Sequence, residues 1–163
     1  MRATRLLVLL HLVIVVCIPR TARAAPRGDE LDLKLNNVKS IQVSGTLSAP
    51  AEVGLTLATL QDPFTAALAS RGMRIDQENY DNSISIEVEV VKAKSQPVWV
   101  TNLSFHYSEP CASKRLKTIL MCPLWEHFEG LYSFSSPTEA KAYVERTVER
   151  WAMVFAAEIP RHQ

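Results

Sequence analysis

Between Ile84 and Val90 the chain alternates without a fault: Ile84, Ile86, Val88 and Val90 are apolar, and Ser85, Glu87 and Glu89 are polar. Successive side chains of a strand point to opposite faces, so this segment has one face that must be covered and one that meets water. A strand of this kind belongs to a sheet with a single covered side. The rest of the chain has to supply the neighbouring strands and the cover.

Val98 to Tyr107 alternates again, with Trp99, Leu103, Phe105 and Tyr107 on one face. The short Lys94-Ser95-Gln96-Pro97 connection between the two segments predicts an antiparallel hairpin. A further strand is expected over 116–125, after a loop at 108–115. Upstream, Leu31, Leu33 and Leu35 alternate with polar residues, and a better-defined strand is expected over 38–47, carrying Ile41, Val43 and Leu47. Residues 73–77 alternate briefly, and Tyr80-Asp81-Asn82 reads as a turn.

Two helices are expected to provide the cover. The second is the more explicit: Ser136-Pro137-Thr138-Glu139 joins an N-cap serine, a proline at the first helical position and a glutamate three residues on. Ala140, Val144, Val148, Trp151, Ala152, Phe155 and Ile159 then recur at helical spacing, and Pro160 stops the run. The first helix spans about 57–71 and contains Pro63, which removes a backbone donor from any helix that includes it. Two starts remain open. Thr56 caps one, and Asp62 caps the other with Pro63 at its first position; a kinked or two-part helix ending near Arg71, with Gly72 as its C-cap, follows from either. The expected fold is α+β: a mostly antiparallel sheet of about four to five strands with two helices packed on one face.

The N-terminus fits a removable secretory signal. Arg2 and Arg5 precede an apolar run from Leu6 to Ile18, and Ala22-Arg23-Ala24 forms an A-x-A cleavage site. The run is shorter than the roughly 20 residues a membrane-spanning helix needs. The expected organisation is a signal over 1–24, a mobile leader over 25–30 and one α+β domain over 31–160. The expected location is periplasmic or secreted, with no transmembrane segment after cleavage. Removing residues 1–24 takes four arginines from the chain's 18 basic residues, leaving 14 against 17 acidic ones, a net −3. That balance gives no reason to expect nucleic acid, whose binding is dominated by Lys and Arg.

Cys17 leaves with the signal, and Cys111 and Cys122 remain as an even pair in an exported chain. A disulfide between them is the expected outcome. Their spacing is not C-x-x-C, so a structural bond is expected rather than a redox centre.

No catalytic constellation emerges. There is no G-x-S-x-G elbow and no phosphate-cradling glycine loop. His127, flanked by Glu126 and Glu129, is the candidate for a small enzyme or metal-binding site, but no H-x-x-x-H or C-x-x-C spacing supports it. No metal and no cofactor are therefore expected. On a strand, Glu126 and His127 would point to opposite faces. Glu87 and Glu89 fit the wet face of their strand. Asn102-Leu103-Ser104 matches a glycosylation acceptor but falls within a strand, and is taken as chance. Phe128, Leu131 and Tyr132 lie in a less regular stretch, expected as a loop over 126–134, and form a candidate partner surface if exposed together.

The run Val53-Gly54-Leu55-Thr56, then Leu60, Phe64, Leu68 and Gly72, the Ile84–Val90 strand, and Trp125 followed by Gly130 resemble a group of small exported proteobacterial proteins of uncharacterised function. Pro63 and the two cysteines depart from that pattern. The resemblance implies a periplasmic setting and a shared fold, and supplies no activity. The function expected is a non-catalytic periplasmic binding or envelope-assembly accessory protein. The alternatives are a secreted inhibitor or effector acting on a partner protein through 126–134, and the small enzyme or metal-binding protein using His127.

Overall fold

The computed structural model describes residues 38–159; the expected signal, the leader, the Leu31–Leu35 alternation and Pro160 lie outside the described residues. Five strands form one sheet: β1 (Ser40–Ser48), β2 (Arg74–Ile75), β3 (Asn82–Lys92), β4 (Trp99–Ser113) and β5 (Thr118–Phe134), in the order β2-β1-β3-β4-β5. β1 runs parallel to β2 and β3, whereas β3, β4 and β5 form an antiparallel meander. The long meander makes the sheet mostly antiparallel. Two helices, α1 (Leu57–Ala69) and α2 (Pro137–Ala157), pack together on one face.

The alternation from Ile84 to Val90 does what it predicted. Ile84, Ile86, Val88 and Val90 are buried under the helices, and Glu87 and Glu89 are exposed on the other face. Trp99, Leu103, Phe105 and Tyr107 extend the same buried face through β4. The helices fill the space above with aromatic rings: Phe64 of α1 lies 5.6 Å from Phe155 of α2 and 6.0 Å from Phe105 of β4, centroid to centroid. Asp81 secures the sheet's parallel side. Its carboxylate accepts the backbone N–H groups of Lys39 at 3.0 Å and Ser40 at 3.1 Å, and these donors hold its pKa below the ordinary aspartate value.

α1 is one helix starting at Thr56. The Thr56 side chain accepts the Thr59 N–H, and the Thr59 hydroxyl accepts the Thr56 N–H, a reciprocal cap built from two threonines. Pro63 is absorbed inside the helix. The Asp62 start is therefore not used: the Thr56 pair had already satisfied the first orphan donors. Past the end, Gly72 takes a positive φ of 81°, and bonds from Gly72 N–H to Ala69 and from Met73 N–H to Leu68 close the terminal carbonyls. α2 starts at Ser136, whose side chain accepts the Glu139 N–H at 3.2 Å. Glu139 reaches past the cap and takes the N–H and hydroxyl of Ser135 instead, so the expected reciprocal bond is displaced by one residue.

The far half of the meander corrects two expectations. Residues 108–115 were expected as a loop, but β4 continues to Ser113, and only Lys114 to Lys117 turn. Residues 126–134 were also expected as a loop, and they are the second half of β5, a strand of 17 residues. Two β-bulges hide that strand from a search for period two. Leu124 is inserted between the Tyr107↔Trp125 and Ser108↔Pro123 pairs. Glu129 and Gly130 together oppose Leu103, between Asn102↔Leu131 and Ser104↔Phe128.

Candidate functional site

Before the second bulge, Trp125, His127 and Glu129 of β5 face α2. After it, Tyr132 and Phe134 do, in ring contact with Tyr143 of α2 at 4.8 and 5.1 Å. Gly130 makes the switch possible: it takes a φ of 89°, a region open to glycine and costly to side chains with a Cβ. The inserted residue flips the strand's parity, so both halves of an irregular sequence present rings to the same helix.

Glu129 is the polar centre of this contact. Its side chain is only 9 % exposed. One carboxylate oxygen, Oε1, receives Nε1–H of Trp151 and a guanidinium N–H of Arg150, and His127 Nε2 lies 3.1 Å from it. Burial alone pushes the Glu129 carboxyl up; donation by Trp151 and Arg150, together with the Arg150 charge, outweighs it and leaves the pKa below the ordinary glutamate value. His127 is stacked against Trp125 at 5.7 Å and lies 4.2 Å from Trp151, centroid to centroid. An open depression of about 450 Å³ lies over this cluster, lined by His127, Phe128, Glu129, Tyr132, Arg150, Trp151 and Val154. Burial, with the Glu129 charge, pushes the Tyr143 hydroxyl up to about 12.

The structure thus splits the sequence's histidine constellation. His127 and Glu129 meet, while Glu126 leaves from the opposite face. There Glu126 lies 3.7 Å from His106, which has Glu87 on its other side at 3.9 Å. No group of three or more metal-ligating side chains comes together among the described residues. Glu129 is engaged by Trp151 and Arg150, a structural use of the carboxylate. Sequence reasoning missed this contact because the partners are 22 residues apart; the available signal was Gly130 beside an otherwise strand-forming run.

The candidate partner surface is also divided by the bulge. Phe128 opposes Ser104, and Leu131 opposes Asn102, both on the sheet face that no helix among the described residues covers. Leu131 is 69 % exposed and Phe128 is 54 % exposed. Tyr132 belongs to the helix side, leaning on Tyr143 while remaining half open to water. Asn102 of the sequon lies within β4, between Glu89 of β3 and Leu131 of β5.

Cys111 and Cys122 face each other diagonally across β4 and β5. They are joined, with Cα atoms 5.9 Å apart, within the span a disulfide requires. The bond therefore links two strands, where the sequence suggested a strand and a loop. No helix among the described residues is long and apolar enough to cross a membrane.

No family model matches the chain, and no curated protein matches it. Among solved structures it is similar to a PelC dodecamer from Paraburkholderia phytofirmans, studied in two crystal forms. The single-substitution variant gives 12 % identity and a TM-score of 0.41 over 76 % of this chain and 88 % of that one. The other form gives 11 % and 0.40 over 71 % and 86 %. A minor lipoprotein from Acinetobacter baumannii gives 13 % and 0.35 over 74 % and 91 %.

Proposed function

We propose that this chain is a non-catalytic accessory protein of the cell envelope, exported by its N-terminal signal, that holds a partner protein against the uncovered face of its sheet at β5. The observation that carries this reading is the exposure of Phe128 and Leu131 on a strand whose neighbours on that face are polar. Large apolar side chains at the rim of a wet sheet cost solvation in the free protein, and contact with a partner recovers it. The Cys111–Cys122 pair supports an oxidising compartment, where such bonds persist. The Glu129 cluster supports the same reading from the other side. Its hydrogen bonds to Trp151 and Arg150 hold the bulge beside Phe128 and Leu131, a structural use of residues that the enzyme reading would have needed free.

The test is capture of a tagged, processed protein from envelope extracts beside a variant carrying Phe128→Ser and Leu131→Asp. Both positions are exposed, so the variant should melt within a few degrees of the parent. One envelope protein retained by the parent and lost by the variant is the expected result. Equal retention by both would sink the proposal.

A further inference from the structure

The far end of the β4–β5 pair leaves the body of the domain. β3 pairs with β4 only as far as Ser83↔Ser108, and from Glu109↔Cys122 to Ser113↔Thr118 the two strands have only each other among the described residues. Five residue pairs project about 17 Å. A four-residue turn, Lys114-Arg115-Leu116-Lys117, closes the arm, with Lys117 at a φ of 51° and the Leu116 N–H donating to the Ser113 hydroxyl. A lone two-stranded ribbon is marginal in water. Here Cys111–Cys122 clamps it midway.

Two properties of the arm point to one kind of surface. From Pro110 to Trp125 there are three cations, Lys114, Arg115 and Lys117, and no acidic residue. The large side chains among them are apolar and exposed: Leu116 at 60 %, Ile119 at 72 %, and Leu120 and Met121 less so. They leave the ribbon in every direction. Ile119 and Met121 share one face, Leu120 lies on the other, and Leu116 is at the turn. A protein partner or a second copy laid along the arm covers one face and leaves the other apolar side chain in water. A lipid interface surrounds an inserted tip on all sides.

We propose that this arm is an interfacial anchor, whose turn enters the headgroup region of an anionic bilayer with Leu116 leading to the acyl boundary, Ile119, Leu120 and Met121 following along the inserted ribbon, and Lys114, Arg115 and Lys117 turned back on their long stems to the lipid phosphates. At about 3.4 Å per residue, Ile119 and Leu120 lie about 7 and 10 Å behind Lys117, within the 5–10 Å depth at which interfacial segments bury their apolar residues, and Met121 lies about 14 Å behind it, at the rim. Basic side chains close to an anionic surface each strengthen binding about fivefold, and the effect fades with salt. The anchor uses the opposite end of β5 from Phe128 and Leu131 and stands independently of the partner proposed there.

Sedimentation with vesicles tests it, using the chain from Ala25 onward so that the apolar run at 6–18 cannot bind lipid itself. The described domain, with its continuous core, lies wholly within that chain. Vesicles containing phosphatidylglycerol should carry the protein down, vesicles of phosphatidylcholine alone should not, and added salt should release it. Replacing Lys114, Arg115 and Lys117 with Glu should lower binding a hundredfold or more, at about fivefold for each charge removed and again for each charge reversed. Ile119→Ser with Leu120→Ser should lower it at least tenfold with all charges kept. Phe128→Ser with Leu131→Asp should leave it unchanged. All these residues are exposed, so unaltered melting should accompany each result. Equal binding to both vesicle types, or no binding to either, overturns the proposal. So does binding that ignores Ile119 and Leu120, which would mark a purely electrostatic site such as an acidic partner uses. Dimerisation lost in the arm variants without vesicle binding would assign the arm to a second copy.

Discussion

Trp151 joins more of the molecule than any other side chain near the candidate site. Its ring meets Phe105, Trp125 and His127, and its Nε1–H donates to Glu129. Trp151→Ala should cost about 3–5 kcal/mol, the usual range for a buried aromatic, whereas Glu149→Ala on the exposed side of α2 should change stability by about 0.5 kcal/mol or less. Urea titration of the two variants checks the contrast. Glu129 supplies a pH dependence. Its pKa is lower folded than unfolded, so its carboxylate contributes stability above the unfolded value of about 4.3, and that contribution disappears as pH falls through the lower folded value. Glu129→Gln should be destabilising near neutral pH by about 1–3 kcal/mol, with the gap to the parent closing below about pH 4. A gap that stayed constant to pH 3 would mean that the charge of Glu129 contributes nothing. At this scale the sequence was informative about burial and silent about pairing. The α2 stripe from Ala140 to Ile159 is buried as its spacing predicts. Nothing in the order of residues announces that Glu129 meets Trp151.

At the scale of elements, legibility follows regularity. β3 from Ile84 to Val90 and the buried stripe of α2 each keep one period and could be read directly. β5 changes parity twice, so its apolar residues average out over any window and the strand looks like a loop. β4 beyond Tyr107 was obscured differently, because Pro110 and the polar residues around Cys111 imitate turn composition while the ribbon continues. α1 was ambiguous because Pro63 suits the start of a helix better than its interior. The structure keeps it inside, where it deprives the Thr59 carbonyl of its usual donor four residues on. Pro63→Ala restores that donor and should raise stability by about 1 kcal/mol, after allowing for the greater freedom of the unfolded chain. Gly130→Ala should lower it by about 1–2 kcal/mol through backbone strain alone. A Cβ there would meet nothing closer than Tyr132 Cε2 at 3.8 Å. Thermal melts of both variants should move in opposite directions.

Across the described residues, a two-layer body carries two unlike surfaces at the ends of one long strand. The body is built from contacts that the sequence advertised, a one-sided sheet under two amphipathic helices. The surfaces are set by bulges, by a disulfide and by where β3 stops, none of which a periodicity expresses. This division predicts how the bond between Cys111 and Cys122 behaves. It closes a separation of 11 residues, for which chain entropy suggests about 2–3 kcal/mol. Because it clamps an arm outside the core, Cys111→Ser with Cys122→Ser should strip hydrogen-exchange protection from residues 109–122 while β1, β3 and both helices keep theirs.

The central claim is that the outer face of β5 meets a protein partner. Its most direct measurement is site-specific photocrosslinking in the living envelope, with a crosslinking residue at position 131 in one strain and at Glu87, on the wet part of the same sheet face, in another. A single discrete adduct from position 131, absent from Glu87 and lost when Phe128→Ser is added, is the predicted result. No adduct from position 131, or the same adducts from both positions, would contradict it.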